Sequence, residues 1–417
     1  MSRDIKLISN EVQHFFEDFL KKLKINNFTI NIVSGSNFGD NFVGIIAKAK
    51  VDGKDGQDNK ISQSFIIKSA PQEEKYRKLI PVEFMYTREI HIYTTVLNEF
   101  VVLQTELNVK MPLKSYPKYY DSSMKNLGEV LILEDMSELG FESYNSRQLL
   151  DFEHSVMVLR EYAKLHALSY AMRVHKPNVF KKLIEDMKES YFPTLHQIHK
   201  DNYLNQAKKI LLIIDRVKEK SIYEKFQKFV ANMNDMVQNL LKSNLTDPHG
   251  VINHGDCWLK NFMFKYNSCL ESRAPVDVCI LDWQLSYYGS PALDLAYFMF
   301  SCTEKELRDK HYSFLMEDYY NTFSSTLTEM GGNPQLQFPF QTFHEHLKKY
   351  SVFGLYTALM ALLVVSNENS DVSGFKDISK AAEFVDRIKK NDSDEYLYNQ
   401  RIKDVILDFD RLGYNFY

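Results

Sequence analysis

The chain places two carboxylates and one amide around a short histidine-containing segment, in an order that suits phosphate chemistry. Residues 251–264 read VINHGDCWLKNFMF, and residues 280–284 read ILDWQ. In phosphoryl transfer, one carboxylate accepts the proton of the attacking hydroxyl, while a second carboxylate and an amide oxygen hold magnesium. Asp256, Asn261 and Asp282 are therefore candidate residues for such chemistry.

These motifs resemble those of the kinase-like phosphotransferases of small molecules. The spacing of Asp256 and Asn261 matches H-R-D-x-x-x-x-N of protein kinases, and Asp282 stands where kinases have the Asp of D-F-G. The resemblance thus implies that Asp256 is the catalytic base and that Asn261 and Asp282 are magnesium ligands. Gly255 replaces the Arg of H-R-D, and Asp-Trp-Gln replaces D-F-G, which points away from protein kinases. The motif H-G-D-x-W-x-x-N together with D-W-Q is most similar to that of the ecdysteroid kinase-like family. With the features that flank these motifs, the resemblance covers roughly residues 30–300.

The resemblance implies an α+β, protein-kinase-like fold with two lobes, and the hydrophobic patterns agree with it. We expect residues 1–136 to form an N-terminal helix and a nucleotide-binding small lobe, with a five-stranded antiparallel sheet and one main helix. Residues 137–417 are expected to form a larger, mostly helical lobe with the catalytic loop, the metal ligands and the acceptor pocket. Strands are predicted at 30–33, 43–51, 62–70, 116–120, 130–134, 261–265 and 278–281. Helices are predicted at 1–24, 82–100, 146–173, 180–200, 203–243, 304–330, 341–366, 374–390 and 394–412.

Three lysines compete for the role of holding the α- and β-phosphates. Lys68 ends the run FIIK, which resembles V-A-I-K of kinases, whereas Lys48 and Lys50 lie on the preceding strand. We prefer Lys68 for this reason. Glu89 best matches the helix glutamate that pairs with this lysine in the family, and Glu83 is the alternative.

The run GSNFGDNFVG at residues 35–44 is the candidate phosphate-covering loop. Glycine lets backbone N–H groups approach phosphate oxygens closely, and side chains of serine and asparagine add donors. We predict that Gly35, Ser36, Gly39 and Asn41 contact the nucleotide. The spacing is not G-x-G-x-x-G, and an ordinary hairpin turn would look the same, but the loop lies one strand before Lys68.

Two further groups of residues are predicted from their positions. Glu134 and Met136 lie where a kinase-like fold has its hinge, which binds adenine through backbone groups. Asp294 in the run GSPALDLAYF matches a residue that braces the catalytic loop in small-molecule kinases. We expect His254 and His166 to act in packing and hydrogen bonding rather than in proton transfer.

The composition is that of an ordinary globular protein, with 417 residues, 44% hydrophobic and 25% charged. A net charge of −4 gives no global attraction to nucleic acid or to an anionic membrane. The N-terminus lacks the apolar stretch of a signal peptide, and the longest apolar run, 352–365, is too short to span a bilayer. We expect a cytoplasmic protein with no nucleic-acid or membrane partner. Its four cysteines, Cys257, Cys269, Cys279 and Cys302, match no zinc pattern and are expected to be reduced.

The resemblance implies an ATP-dependent kinase with Mg²⁺, which transfers the γ-phosphoryl group to a small-molecule hydroxyl. The expected acceptor is an ecdysteroid or another polyhydroxylated, largely apolar compound, in hormone inactivation or detoxification. Such an acceptor needs a large apolar pocket, for which residues 180–250, 287–300 and 336–366 are candidates. A choline- or aminoglycoside-type kinase stays open, since Asp, Glu and Tyr are plentiful enough to line a cation pocket. The alternative from another class is a pseudokinase that sequesters a hormone, although every catalytic position holds a competent residue.

Overall fold

The computed structural model describes residues 7–35, 44–79, 81–144, 148–187, 192–244, 247–267, 274–367 and 392–416. Its strands are β1 (Asn26–Ser34), β2 (Ile45–Lys54), β3 (Lys60–Ser69), β4 (Tyr119–Ser123), β5 (Val130–Glu134), β6 (Phe141–Ser143), β7 (Val251–Asn253), β8 (Phe262–Tyr266), β9 (Pro275–Ile280) and β10 (Tyr287–Gly289). Its helices are α1 (Asn10–Lys22), α2 (Glu74–Leu79), α3 (Val82–His91), α4 (Leu97–Glu106), α5 (Phe152–His175), α6 (Pro177–Glu185), α7 (Phe192–Ile213), α8 (Lys220–Asn244), α9 (Ala292–Cys302), α10 (Lys305–Glu329), α11 (Pro334–Gln337), α12 (Phe340–Tyr350), α13 (Val352–Val365) and a C-terminal helix (Asp392–Leu412).

The five N-terminal strands form one antiparallel sheet in the order β1-β2-β3-β5-β4. Because side chains alternate along a strand, Ala47, Ala49 and Val51 of β2 all point to the same face and are fully buried. Helix α1 covers that face, where Phe16 meets Phe65 of β3 edge to face. The five-stranded antiparallel sheet and the N-terminal helix are therefore confirmed.

The helix predicted over 82–100 is longer and interrupted. Helix α3 passes through a π turn, Ile92–Val96, into α4, which ends at Glu106. The hydroxyl of Thr94 donates to the carbonyl of Ile90 at 2.7 Å, and such bonds from a threonine back along its helix compete with the regular backbone pattern. These helices pack into the main hydrophobic core together with α5, rather than into the small core under α1.

The remaining described chain is mainly helical, as expected, but three predicted helices have wrong limits. The stretches 180–200 and 203–243 become α6, α7 and α8, and the stretch 341–366 becomes α12 and α13. The break between α7 and α8 lies at Asp215, whose carboxylate accepts the backbone N–H groups of Val217 and Lys218 at 2.9 and 3.0 Å. Such a local turn competes with a continuous helix. The helix predicted over 374–390 lies outside the described residues.

Two small sheets in this region carry the loops of the site. Strands β6, β8 and β9 form a three-stranded antiparallel sheet, and β7 pairs with β10. The 3-10 turn Met136–Leu139 lies between β5 and β6, at the place where the boundary between the two lobes was predicted. That division at residue 136 stays a prediction.

Helix α13 is the apolar run of the sequence, and nearly all its side chains are buried. Among the described helices, no single one is long and apolar enough to cross a membrane. The pair α12 and α13 passes that test together by length and composition, with a bend of 50° between the two helices.

Candidate active site

Asp256 lies in the segment between β7 and β8, where two side chains hold its carboxylate in place. The side-chain amide of Asn261 donates to the carboxylate oxygen Oδ2 of Asp256 and to its backbone carbonyl, both at 2.9 Å. The hydroxyl of Tyr297, from α9, donates to the other carboxylate oxygen, Oδ1, at 3.2 Å. The orientation of the carboxylate is thus determined by one residue of its own loop and by one from a distant helix.

The hairpin β8–β9 brings Asn261 close to Asp282. Phe262 pairs with Ile280, so the residue before β8 lies beside the residues after β9. The backbone N–H of Leu281 donates to the carbonyl of Asn261 at 2.9 Å. Since the amide nitrogen of Asn261 is directed at Asp256, its amide oxygen is the atom available to a metal ion. Asp282 has a φ of +65°, which turns the chain sharply as it leaves β9.

Lys68 lies between two carboxylates. Its ammonium group is 2.7 Å from Glu89 of α3 and 2.8 Å from Asp282. Lys68 and Glu89 are only 3% and 1% exposed, so this is an ion pair removed from water. Burial disfavours the charged lysine, but the two carboxylates outweigh it and raise the pKa of Lys68, which keeps the ammonium charged.

Burial and charge also change the proton affinity of the acidic groups. Burial, and then the negative charge of Asp282, raise the pKa of Asp256 to about 7, against the hydrogen bonds from Asn261 and Tyr297. A base with a pKa near the working pH transfers protons efficiently. Burial likewise raises the pKa of Glu89, against the attraction of Lys68.

The loop around Asp256 is anchored from below by Asp294, at the start of α9. Its carboxylate accepts the backbone N–H groups of His254 at 2.7 Å and of Gly255 at 3.0 Å, and it lies 3.3 Å from Nε2 of His166. Nε2 of His254 donates to the carbonyl of Leu281 at 2.9 Å, and burial lowers the pKa of His254. The three polar side chains therefore brace the loop, as the sequence predicts.

The backbone at residue 255 leaves no room for the arginine of H-R-D. Its φ is +86°, and a Cβ atom built there would lie 2.2 Å from the carbonyl oxygen of Leu285. The loop after β9 thus passes directly over Gly255. The tryptophan of D-W-Q packs nearby, since the ring of Trp283 meets that of His254 edge to face at 4.8 Å.

The alternative residues for the phosphate-binding lysine and its glutamate partner lie away from this ion cluster. Glu83 is exposed on α3 and Lys50 is exposed on β2. Lys48 instead pairs with Asp135 at 2.8 Å, at the predicted hinge.

The predicted phosphate loop is described only at its ends. Ser36, Gly39 and Asn41 lie outside the described residues. The N–H of Gly35 donates to the carbonyl of Ile46 at 2.9 Å. A Cβ atom at Gly44 would lie 2.8 Å from the carbonyl oxygen of Ser69, the residue after Lys68. Both ends of this loop therefore lie at the hairpin base, and Gly44 lies beside the strand of Lys68.

Of the two predicted hinge residues, Glu134 and Met136, the second belongs to a small apolar cluster. Glu134 exchanges hydrogen bonds with the backbone of Lys118, and Asp135 caps the turn that Met136 begins. A cluster separate from the main core joins the hinge to the β6–β8–β9 sheet; its members are Met136, Phe141 and Cys279, with Met263 and Leu281 packed against them. Cys257, Cys279 and Cys302 are buried free thiols, while Cys269 lies outside the described residues.

Two residues of the site, Tyr297 and Arg88, belong to no motif and are not predicted from the sequence. Tyr297 reaches Asp256 from α9, three residues after Asp294. Arg88 of α3 is buried and donates to the carbonyl of Ser286 at 2.8 Å, which ties this helix to the loop after Asp282. The helical period does place Tyr297 near the face of Asp294, which is the one signal available in the sequence.

Within the described residues, no group of three or more His, Cys, Asp or Glu side chains is arranged to hold a metal ion. The oxygen pair of Asn261 and Asp282 is compatible with Mg²⁺ all the same, because Mg²⁺ commonly takes one or two protein oxygens and completes its shell with phosphates and water.

The model of the ecdysteroid kinase-like family matches residues 38–332, which is more than half of the chain. No curated protein matches this chain. Similar solved structures include the GDP complexes of a point mutant and of the wild type of aminoglycoside 2′-phosphotransferase-IIIa. The mutant is 12% identical, with a TM-score of 0.41, over 96% of this chain and 99% of that one. The wild type is 12% identical, with a TM-score of 0.36, over 91% and 99%.

Proposed function

The chain belongs to the ecdysteroid kinase-like family, and we propose that it transfers the γ-phosphoryl group of ATP to a hydroxyl of an ecdysteroid or a similar polyhydroxylated, largely apolar compound. Membership makes it a phosphotransferase for small-molecule hydroxyl groups with a kinase-like fold. The proposal adds the nucleotide, the metal, the acceptor and the residues that act. Its biological role would be hormone inactivation or detoxification.

One observation carries the proposal: segments more than 200 residues apart converge so that the buried Lys68 and Glu89 and the partly buried Asp282 form one ion cluster. Asp282 in turn lies beside Asn261, which holds Asp256. In kinases this order of groups positions the phosphates on one side and the attacking hydroxyl on the other.

Each group has a role that follows from its contacts. Lys68 is held by Glu89, and its ammonium group is already desolvated. This group would bind the α- and β-phosphates. Asn261 and Asp282 would hold Mg²⁺, which would neutralise phosphate charge when bound. Asp256 would orient the acceptor hydroxyl and take its proton, because Oδ1 keeps acceptor capacity beside the hydrogen bond from Tyr297.

The nucleotide base would lie at the hinge. Met136 and the apolar cluster to which it belongs would contact the flat ring, and the backbone after Glu134 would supply hydrogen-bonding groups. The glycine-rich residues 35–44 would cover the phosphates, because Gly44 lies next to the strand that carries Lys68.

The test is phosphate transfer from γ-labelled ATP with Mg²⁺ to a panel of ecdysteroids, other sterols, choline and aminoglycosides, with Asp256→Asn as control. Labelled product on an ecdysteroid, absent with Asp256→Asn, is the expected result. Product on choline or an aminoglycoside alone would contradict the acceptor. Absence of both transfer and Mg²⁺-dependent ATP binding would contradict the kinase and favour a protein that sequesters a hormone.

A further inference from the structure

Ser286 lies in the loop after Asp282, and all three of its polar groups are bonded within the protein. Its backbone N–H donates to the carbonyl of Trp283 at 3.1 Å, and its carbonyl accepts Nη1 of Arg88, from α3, at 2.8 Å. Its hydroxyl donates to the carbonyl of His254 at 3.0 Å. The residue is only 2% exposed. Ser286 is therefore a buried junction between helix α3 and the catalytic loop.

The hydroxyl of Ser286 helps to fix the peptide group that joins His254 to Gly255. The carbonyl of this peptide accepts the hydroxyl, and its N–H donates to the carboxylate of Asp294 at 3.0 Å. In a planar trans peptide the carbonyl and the N–H point in opposite directions, so bonds to both fix its rotation. Asp256 follows directly, and the direction in which the chain enters it is thus set from two sides.

Helix α3 holds this loop and the proposed phosphate-binding lysine at the same time. Glu89 contacts the ammonium of Lys68 at 2.7 Å, and its neighbour Arg88 contacts Ser286. Successive side chains of an α-helix point about 100° apart, so adjacent residues reach different elements. One turn of one helix therefore connects the strand that carries Lys68 with the loop that carries the proposed base.

The burial of Arg88 argues for a role beyond satisfying one carbonyl. The side chain is 4% exposed, and its guanidinium lies 4.9 Å from the ring centre of Phe84. Burying a charged group is unfavourable, and a neutral donor or a water molecule would satisfy a backbone carbonyl. A hydrogen bond from a charged donor is roughly twice as strong as a neutral one. The arginine therefore holds Ser286 more firmly than a neutral side chain would.

We propose that Arg88 and Ser286 are positioning residues for the phosphoryl transfer. They set the distance from Lys68, which would hold the phosphates, to Asp256, which would accept the proton. Catalysis of phosphoryl transfer consists mainly of positioning and electrostatic stabilisation, and a misplacement of about 1 Å can cost about 10²-fold in rate. The inference rests on the proposed function and adds the two residues that keep its two halves in register.

The test compares Ser286→Ala with Ser155→Ala. Ser155 is the matched control, because it is also a buried serine whose hydroxyl donates to a backbone carbonyl, that of Asp151 at 2.6 Å. Steady-state transfer from γ-labelled ATP to ecdysone gives kcat and KM for ATP, and circular dichroism gives the melting temperature. Acrylamide quenching of fluorescence needs no acceptor, since the two tryptophans of the chain, Trp258 and Trp283, lie in the two loops that Ser286 joins.

Ser286→Ala should lower kcat about tenfold and leave KM for ATP within about twofold, because the catalytic loop loses one hydrogen bond while Lys68 and Glu89 are untouched. Quenching should rise about twofold or more, as local opening of the loop admits acrylamide to the buried tryptophans. Ser155→Ala should keep wild-type kcat and wild-type quenching, although it also loses a buried hydrogen bond.

Arg88→Met and Arg88→Lys test the other half of the connection. Methionine removes the donor and the charge, so kcat should again fall about tenfold, whereas lysine keeps a charged donor and should restore part of the loss. If Arg88 acts through Ser286, the two bonds act in series. The double variant Ser286→Ala/Arg88→Met should then stay within about twofold of the less active single variant.

Three results would overturn the inference while the kinase stands: a folded Ser286→Ala with wild-type kcat, an equal loss of kcat in Ser155→Ala, or losses that multiply in the double variant. A wild type that fails to phosphorylate ecdysone would contradict the proposed acceptor instead. The quenching comparison then decides the inference by itself. A rise in Ser286→Ala alone supports it, and equal quenching in both serine variants overturns it.

Discussion

The ammonium of Lys68 lies 2.8 Å from the carboxylate of Asp282, although 214 residues separate the two in the chain. Glu89 contacts the same ammonium at 2.7 Å. Taking these charges out of water is expensive, and close contact repays that cost only while every partner is present. The strand, the helix and the catalytic loop are thus linked electrostatically, and removal of one charge should disturb all three.

Lys68→Met should reduce phosphate transfer by about 10²-fold or more, because the preorganised charge at the phosphates is lost. The variant should also lose about 3–5 kcal/mol of stability, since the buried Glu89 is left without its counter-ion beside the partly buried Asp282. Kinetics and thermal unfolding check the two effects. The control is Lys50→Met on the exposed side of β2, and equal losses in both lysine variants would refute the assignment.

Asp256→Asn should lower kcat by about 10²–10⁴-fold, the usual range for removing a general base. Binding of ATP with Mg²⁺ should persist, because Lys68 and Asp282 are untouched; isothermal titration measures it. Asp18→Asn, on the exposed surface of α1, serves as the charge-matched control. Retention of full activity in Asp256→Asn would mean that another group accepts the proton.

Gly255→Ala should be far more damaging than Gly413→Ala. Both glycines have positive φ, +86° and +67°, so each substitution carries a backbone strain of about 1–3 kcal/mol. At Gly413 nothing lies within 4 Å of the added Cβ, whereas at Gly255 the carbonyl of Leu285 lies 2.2 Å away. We expect a larger fall in melting temperature and a loss of transfer for Gly255→Ala alone. Equal melting temperatures in the two variants would show that the loop can yield.

Asp294→Asn should weaken the loop and change the response to acid. Burial acts to raise the pKa of Asp294, but the hydrogen bond and charge of His166 and the N–H of Gly255 outweigh it, so the pKa lies below its ordinary value of 3.8. A carboxyl with a lowered pKa contributes stability above its unfolded pKa, and that contribution is lost as the pH falls through the folded pKa. Unfolding by denaturant from pH 7 down to pH 3 should therefore show a shallower acid loss in the variant. Parallel curves for both proteins would contradict this role.

Several features could be predicted because they depend on neighbours in sequence. The five strands of the small sheet follow from alternation, and the brace from Asp294 follows from a motif. The helix limits around Asp215 and Ser351 were missed, because a single side-chain turn or bend ends a helix while the hydrophobic period continues through it.

The sequence by itself determined the family and the order of Asp256, Asn261 and Asp282, since both depend on local spacing in the chain. The sequence already favoured Lys68 and Glu89 over Lys48 and Glu83. Only the tertiary structure showed that Lys68 meets both Glu89 and Asp282. It also brought Leu285 over Gly255 and Tyr297 to Asp256. Those contacts join segments whose separation along the chain carries no information about their distance in space. They arise when apolar faces pack and force the few polar groups between them to find partners.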